Sequence, residues 1–139
     1  MSFNKSRFAL ELLSFHTAID MQDSGISEEF EGNFSRIVEF YSEYINDWAH
    51  EKGFHDNDRE MGTAIALMHS ELSEALEAHR EGIPESTKIE GFSELEEELA
   101  DTMIRIMDTA GEHDLDVGGA IVAKMRVNED RPQKHGKQY

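Results

Sequence analysis

The stretch GTAIALMHSELSEALEAHREGIPESTKIEGFSELEEELADTMIRIMDTA, residues 62–110, decides the fold, because it contains two helix-like segments that each carry a pair of acids. The pairs are Glu71 with Glu74 and Glu98 with Asp101, each three residues apart. Residues three apart on a helix have Cβ atoms about 5–6 Å apart. Each pair can therefore share one hard cation, and two such helices packed face to face would form a cage of four carboxylates.

The position of these acids on their helices is better evidence than their spacing. Thirty acids in 139 residues give about six pairs at this spacing by chance, and the chain contains six. On a wheel at about 100° per residue, however, Glu71 falls within the apolar arc of the first segment. That arc is formed by Leu67, Ala78, Ala64, Ala75, Met68, Leu72, Ile65 and Leu76.

The acids of the second segment lie at the border of its apolar arc, with Arg105 between Glu98 and Asp101. The arc itself is formed by Thr102, Leu95, Ile106, Leu99, Phe92, Ala110 and Met103. An acid that points at a core needs a partner, because a buried uncompensated carboxylate is costly. We expect a metal cation there, and an ion pair with Arg105 or Arg80 is the alternative.

Composition narrows the class of protein. A chain of 139 residues fits one domain with a real core, and without cysteine it has neither a disulfide frame nor a thiolate metal site. No secretory leader and no apolar run of about 18 residues is recognisable, so we expect a soluble, cytoplasmic protein. The net charge of −17 argues against nucleic-acid and anionic-membrane binding and fits a divalent-metal protein, although most of the acids are expected on solvated helix faces.

Periodicity and caps predict an all-α bundle of four or five helices, with no strand pattern. Residues 3–21 should form a helix within an accessory segment, residues 1–32. A long helix should follow Ser27 and end near Gly53. The remaining predictions are a helix over 59–81 with cap candidates at 56–58, a helix from Ser93 to about Glu112, a short helix over 117–126, and an irregular tail over 127–139.

The tail is basic, which is unusual in so acidic a chain. Five of the thirteen cations lie in the last sixteen residues: Lys124, Arg126, Arg131, Lys134 and Lys137. Such a segment would fold over an acidic metal site only with a polyanion between them, and a triphosphate is one. A solvated basic tail is the alternative.

Four pieces of the sequence, in order, resemble the MazG-like family of all-α nucleoside triphosphate pyrophosphatases. They are WAHEKGF (residues 48–54), HSELSEALEAHREG (69–82) with the family's E-x-x-E, EEELADTMIRIMD (96–108) with its E-x-x-D, and KMRVNEDRPQKHGKQY (124–139). The resemblance covers about residues 34–139.

The resemblance implies a MazG-like four-helix bundle, with the N-terminal helix as an addition, that hydrolyses a (deoxy)nucleoside triphosphate to the monophosphate and pyrophosphate. It implies Mg²⁺, with Mn²⁺ as a substitute, held by Glu71, Glu74, Glu98 and Asp101. It also implies a homodimer or a dimer of dimers. Many relatives have a further acid where this chain has Ser70, and Glu97 is the expected substitute if that acid activates water.

Further residues are expected at the substrate. Lys124, Arg131 and Lys137 are the expected phosphate-binding cations, and Lys52 and Arg80 are the next candidates. Asn128 is expected at the sugar or a phosphate and His135 at the ligand; helix termination, tail capping and a surface position are their alternatives. Trp48 is able to stack on a base, although an aromatic at helical spacing is more often part of the core.

Two other functions compete with the hydrolase. A non-catalytic helical oligomer that binds a divalent ion for stability or regulation would use the same acids. A ferritin-like di-iron protein is excluded, since that fold needs Glu-x-x-His on two helices and none of the seven histidines has a glutamate three residues before it.

Overall fold

The computed structural model describes residues 28–57 and 59–132. Over these residues the chain is all-α and has no named strand, and one isolated antiparallel bridge joins Glu85 to Ser93. The helices are α1 (Glu28–Glu51), α2 (Met61–Arg80), α3 (Glu94–Glu112) and α4 (Val117–Glu129). The all-α prediction is confirmed, while the predicted helix over residues 3–21 and the cap Ser27 lie outside the described part. No helix within that part combines the length and apolar content needed to cross a bilayer.

Most helix ends are explained by a capping hydrogen bond or by a glycine at the end of the helix. Ser93 caps α3 as predicted: its hydroxyl accepts from the Glu96 N–H at 3.2 Å, and the Glu96 carboxylate accepts from the Ser93 N–H at 2.8 Å. Such a cap contributes about 1 kcal/mol. The chain leaves α1 through Gly53, whose φ of 76° is in the region that favours glycine.

Two predicted boundaries were wrong. The N-cap of α2 is Glu60, which makes no side-chain capping bond, rather than one of the predicted candidates at 56–58, of which residue 58 lies outside the described part. The helix α4 continues to Glu129, so residues 127–129 are helical rather than irregular. Its start is fixed by Asp116, whose carboxylate accepts from the Gly119 N–H at 2.7 Å.

The chain divides into two compact units. The described part of the first contains residues 28–40 and 116–132. Within it α4 approaches α1 closely, since a Cβ at Gly118 would lie 2.8 Å from the carbonyl oxygen of Ser35. Arg126 forms an ion pair with Glu31, which lowers the pKa of that carboxyl.

The second unit, residues 41–115, contains the predicted acid pairs. Its helices α2 and α3 pack against each other, and the end of α1 lies against α3 at Gly111. A Cβ at Gly111 would lie 2.7 Å from the carbonyl oxygen of Ser42, so only glycine permits this approach without a shift. The buried small residues of this unit are Ser42, Ala49, Ala64, Ala75, Ala78, Thr102, Thr109 and Ala110.

Much of the predicted apolar core of α2 and α3 is exposed. A wheel gives the width of an apolar arc but not the part of it that touches a neighbour, and here alanines, two threonines and four acids occupy the buried positions. The acids are Glu71, Glu97, Glu98 and Asp108. The larger apolar side chains are therefore wrongly assigned to the core of the single chain: Ile65, Leu72, Leu76, Phe92, Leu99, Met103 and Ile106 are 37–57% exposed.

Candidate metal centre

Three of the four predicted acids converge in the second unit. Glu71 and Glu74 from α2 and Glu98 from α3 each offer a carboxylate oxygen, and these three oxygens lie within 4.8 Å of one another. The i, i+3 spacing places the first two on one side of α2, and the packing of α2 on α3 brings the third to them. We call these residues the carboxylate cluster.

The cluster has a buried floor and an open rim. Glu71 and Glu98 are each only 6% exposed, whereas Glu74 is exposed. The Oε2 atom of Glu98 is buried and has no hydrogen-bond partner. Buried polar atoms in folded proteins nearly always have a partner, so this oxygen points to a ligand that completes the site.

The electrostatics of Glu98 reflect its surroundings. Burial raises the pKa of its carboxyl, and the neighbouring carboxylates of Glu74 and Glu71 raise it further, while the charge of Lys88 opposes the change. Carboxylates that repel one another at close range provide the oxygen ligands that a hard cation such as Mg²⁺ binds.

Asp101 lies one turn beyond Glu98 on α3, beside the cluster rather than in it. It is half-buried, and burial followed by the charge of Glu71 raises the pKa of its carboxyl. Asp101 also lines a cavity of about 220 Å³.

Among the described residues, Arg105 and Lys88 contact the cluster. The Arg105 Nε–H donates to Oε1 of Glu71 at 2.5 Å, and its Nη2 lies equally close to the same oxygen. The Nζ of Lys88 lies 3.6 Å from Oε1 of Glu98. The ion pair with Arg105 that the sequence offered as an alternative is therefore present, whereas Arg80 contacts Glu77 of its own helix at 3.3 Å.

Glu97 faces the loop before α3. Its buried carboxylate accepts from the Ser86 hydroxyl and pairs with Lys88, and these two contacts lower the pKa of Glu97. The same pairing raises the pKa of Lys88. Glu97 thus anchors the loop, and its expected role in water activation stays a prediction.

The cavity beside the cluster has an aromatic wall and a charged floor. The rings of Trp48 and Phe54 lie 6.0 Å apart at 38°, and Trp48 is 42% exposed rather than part of the core. Arg105 joins the two features, because it lines the cavity and binds Glu71. The remaining lining residues are Ile45, Ala49, Arg59, Asp101, Ile104 and Asp108.

The other predicted substrate residues lie in different parts of the chain. Lys52 is exposed in the turn after α1, and Lys124, Asn128 and Arg131 are exposed in the first unit. His135 and Lys137 lie outside the described residues.

Several residues at the site escaped the sequence analysis. Lys88 lies in a polar loop whose sequence gives no sign of contact with the acids. Asp108 has the appearance of an ordinary helical acid, yet it is buried, and its Oδ2 lies 3.4 Å from Nη1 of Arg59. Arg105, in contrast, was given as an ion-pair candidate, because the wheel places it between Glu98 and Asp101.

Comparisons with protein-family models, with curated proteins and with solved structures gave no match for this chain.

Proposed function

We propose that the protein is a Mg²⁺-dependent nucleoside triphosphate pyrophosphohydrolase that converts a (deoxy)nucleoside triphosphate to the monophosphate and pyrophosphate. The observation that carries the proposal is the buried, unpartnered Oε2 of Glu98 within a cluster of three carboxylates from two helices. The reaction type comes from the family that the four sequence pieces resemble, and the carboxylate cluster is where we propose that it takes place. We assign the protein to the cytoplasm.

In this proposal Glu71, Glu74 and Glu98 hold the metal, with Asp101 as the next donor. Mg²⁺ bound there supplies charge neutralisation at the phosphate oxygens and lowers the pKa of a coordinated water. The exposed rim at Glu74 leaves the site open to a phosphate chain. Arg105 and Lys88 are placed to contact phosphate oxygens, since both already contact the carboxylates that would bind the metal.

The cavity is the proposed position of the base. Its volume of about 220 Å³ is below the roughly 300–1,000 Å³ of sites that enclose a whole small molecule, so it suits part of a nucleotide. Trp48 and Phe54 offer aromatic faces to a base, and such stacking contributes about 1–3 kcal/mol. The triphosphate would then lie at the carboxylate cluster, on the other side of Arg105.

We further propose that the chain forms a homodimer or a dimer of dimers through the exposed apolar faces of α2 and α3. The residues that support this are Ile65, Leu72, Leu76, Leu99, Met103 and Ile106, all of them at least 37% exposed. Large apolar side chains that share a face in a small chain mark an interaction surface.

A second function has its own support. Arg105 and Lys88 already compensate part of the charge of Glu71 and Glu98, which suits a non-catalytic helical oligomer whose cluster binds a divalent ion for structure or regulation. In that case the cluster would bind metal without any turnover.

The test is a panel of ribo- and deoxyribonucleoside triphosphates incubated with purified protein and Mg²⁺, with pyrophosphate and monophosphate both quantified. We expect equal amounts of the two products from at least one nucleotide. In Glu71→Gln and in Asp101→Asn the hydrolysis rate should fall by a factor of about 100 or more. Lys124→Ala and Arg131→Ala should mainly weaken nucleotide binding. Absence of pyrophosphate from every nucleotide, with metal binding intact, would favour the non-catalytic oligomer.

A further inference from the structure

A second group of potential metal ligands lies where α1 and α3 end, and it shares no residue with the carboxylate cluster. His50 is in the last turn of α1, His55 in the loop that follows, and Glu112 is the last residue of α3. One ligand atom from each lies within 4.8 Å of the others. We call these three residues the imidazole cluster.

The two imidazoles converge on one carboxylate oxygen. The Nε2 of His50 lies 2.7 Å from Oε2 of Glu112, and Nδ1 of His55 lies 3.6 Å from the same atom. The two rings stack with centroids 4.3 Å apart. Ligands around a tetrahedral ion with bonds of about 2 Å are about 3.3 Å from one another, and the two distances to Oε2 lie on either side of that value. Binding requires the exposed ring of His50 to turn out of the stack until its Nε2 lone pair and the Nδ1 lone pair of His55 point at one ion.

The ring of His55 is already oriented for such a role. Its Nε2 lies 2.8 Å from Oδ1 of Asp108, and both side chains are nearly buried, at 7% and 9% exposure. A carboxylate facing this nitrogen selects the tautomer with the proton on Nε2, which leaves the Nδ1 lone pair directed at Glu112. Metal-binding histidines commonly have this outer carboxylate.

Asn46 connects the two carboxylates. Its Nδ2 donates to Oδ1 of Asp108 and to Oε2 of Glu112, at 3.1 Å in each case. These contacts stabilise the ionised form of Glu112, whose pKa is lowered first by Asn46 and then by the neighbouring imidazoles. The cluster therefore presents an anionic oxygen and an outer layer of hydrogen bonds before any ion arrives.

We propose that His50, His55 and Glu112 bind a divalent transition-metal ion of the Zn²⁺ class, through Nε2, Nδ1 and a carboxylate oxygen respectively. Two imidazoles and one carboxylate suit Zn²⁺, Co²⁺ and Ni²⁺ rather than Mg²⁺. His50 and Glu112 are half and one-third exposed, so solvent reaches the fourth position. Binding displaces the proton from Nε2 of His50 to solvent or to Nδ1 of the same ring.

The ion would hold in place the segment that carries Trp48 and Phe54, which form the aromatic wall of the cavity. His50 is two residues after Trp48 and His55 directly follows Phe54, so ligation at both histidines fixes the segment that carries both rings. Asp108 contributes to both features, because it lines the cavity and orients His55.

Co²⁺ is the probe, since its visible absorption reports nitrogen ligation and coordination number. The full chain is titrated with Co²⁺ in excess Mg²⁺, which occupies oxygen-donor sites. We expect one equivalent to bind, with visible bands of a four- or five-coordinate ion, and a loss of affinity of about 100-fold or more in His50→Gln and in Glu112→Gln. Asp108→Asn, which removes the carboxylate that orients His55, should weaken binding about 10–100-fold.

His113→Gln is the matched control, because His113 is exposed and adjacent to Glu112 but outside the imidazole cluster. Unchanged Co²⁺ affinity in this variant and in Glu98→Gln supports the assignment and separates it from the carboxylate cluster. The proposal is overturned if the wild type gives no such bands, or if folded His50→Gln and Glu112→Gln bind Co²⁺ as tightly as the wild type.

Discussion

At the scale of single residues, the account depends most on Glu98. A buried acceptor without a partner costs about 1–3 kcal/mol, and burial together with Glu74 and Glu71 raises the pKa of this carboxyl. A raised pKa means that the fold favours the protonated form. The stability contribution of Glu98 is therefore full below its unfolded-state pKa and is lost as the pH rises through the folded-state pKa.

Glu98→Gln should therefore stabilise the metal-free protein. In chelator at neutral pH we expect the free energy of unfolding to rise by about 1 kcal/mol, because the amide removes a charge and donates to a neighbouring carboxylate. The gain should vanish as the pH falls below the unfolded-state pKa of Glu98, where the wild type is also neutral. Added Mg²⁺ should stabilise the wild type but not the variant.

The measurement is urea denaturation of both proteins across the acidic to neutral range, with and without Mg²⁺. Glu77→Gln, an exposed position on α2, is the control and should follow the wild type. A Glu98→Gln protein less stable than the wild type in chelator would show that the carboxylate is satisfied within the chain.

At the scale of elements, the sequence predicted what local chemistry determines. The Ser93 capping box and the glycine after α1 gave two helix ends correctly, because both act within a few residues. The start of α2 was missed because Glu60 begins that helix without a side-chain cap. The buried position of Glu71 followed from periodicity, whereas its contact with Arg105 depends on how α2 packs on α3.

The close approach of α1 to α3 at Gly111 gives a direct test of helix packing in the second unit. Gly111→Ala should lower the free energy of unfolding by about 1–2 kcal/mol, because the new Cβ would meet the Ser42 carbonyl oxygen at 2.7 Å and the overpacking exceeds the helix-propensity gain. Gly62→Ala is the matched control, since nothing lies within 4 Å of its Cβ; it should leave stability unchanged or raise it by up to about 1 kcal/mol. Equal effects of both changes in thermal denaturation would contradict the close approach.

Across the molecule as a whole, the apolar patterning of α2 and α3 exceeds what the described residues bury. The wheel predicted the arcs but could not show which of their side chains the chain itself buries. The acid cluster was predictable because its members lie on two amphipathic helices. Lys88 and Asp108 were not, because only the fold brings a loop lysine to Glu98 and places Asp108 against His55.

Met103→Glu should dissociate the proposed oligomer while the helices stay folded. Met103 is 57% exposed in the single chain, so a charge there costs little in the monomer but much in an apolar interface. Light scattering during gel filtration should give a multiple of the 15.9 kDa chain mass for the wild type and the chain mass for the variant. Ile89→Glu, at a loop position 39% exposed, should keep the wild-type mass, and a monomeric wild type would contradict the interface.

Joint binding of Mg²⁺ by acids from two helices can be measured by calorimetric titration of the chelator-treated protein with Mg²⁺. We expect saturable binding to the wild type and to Glu77→Gln, and loss of that binding both in Glu74→Gln on α2 and in Glu98→Gln on α3. Wild-type Mg²⁺ affinity in either of the last two variants would contradict it.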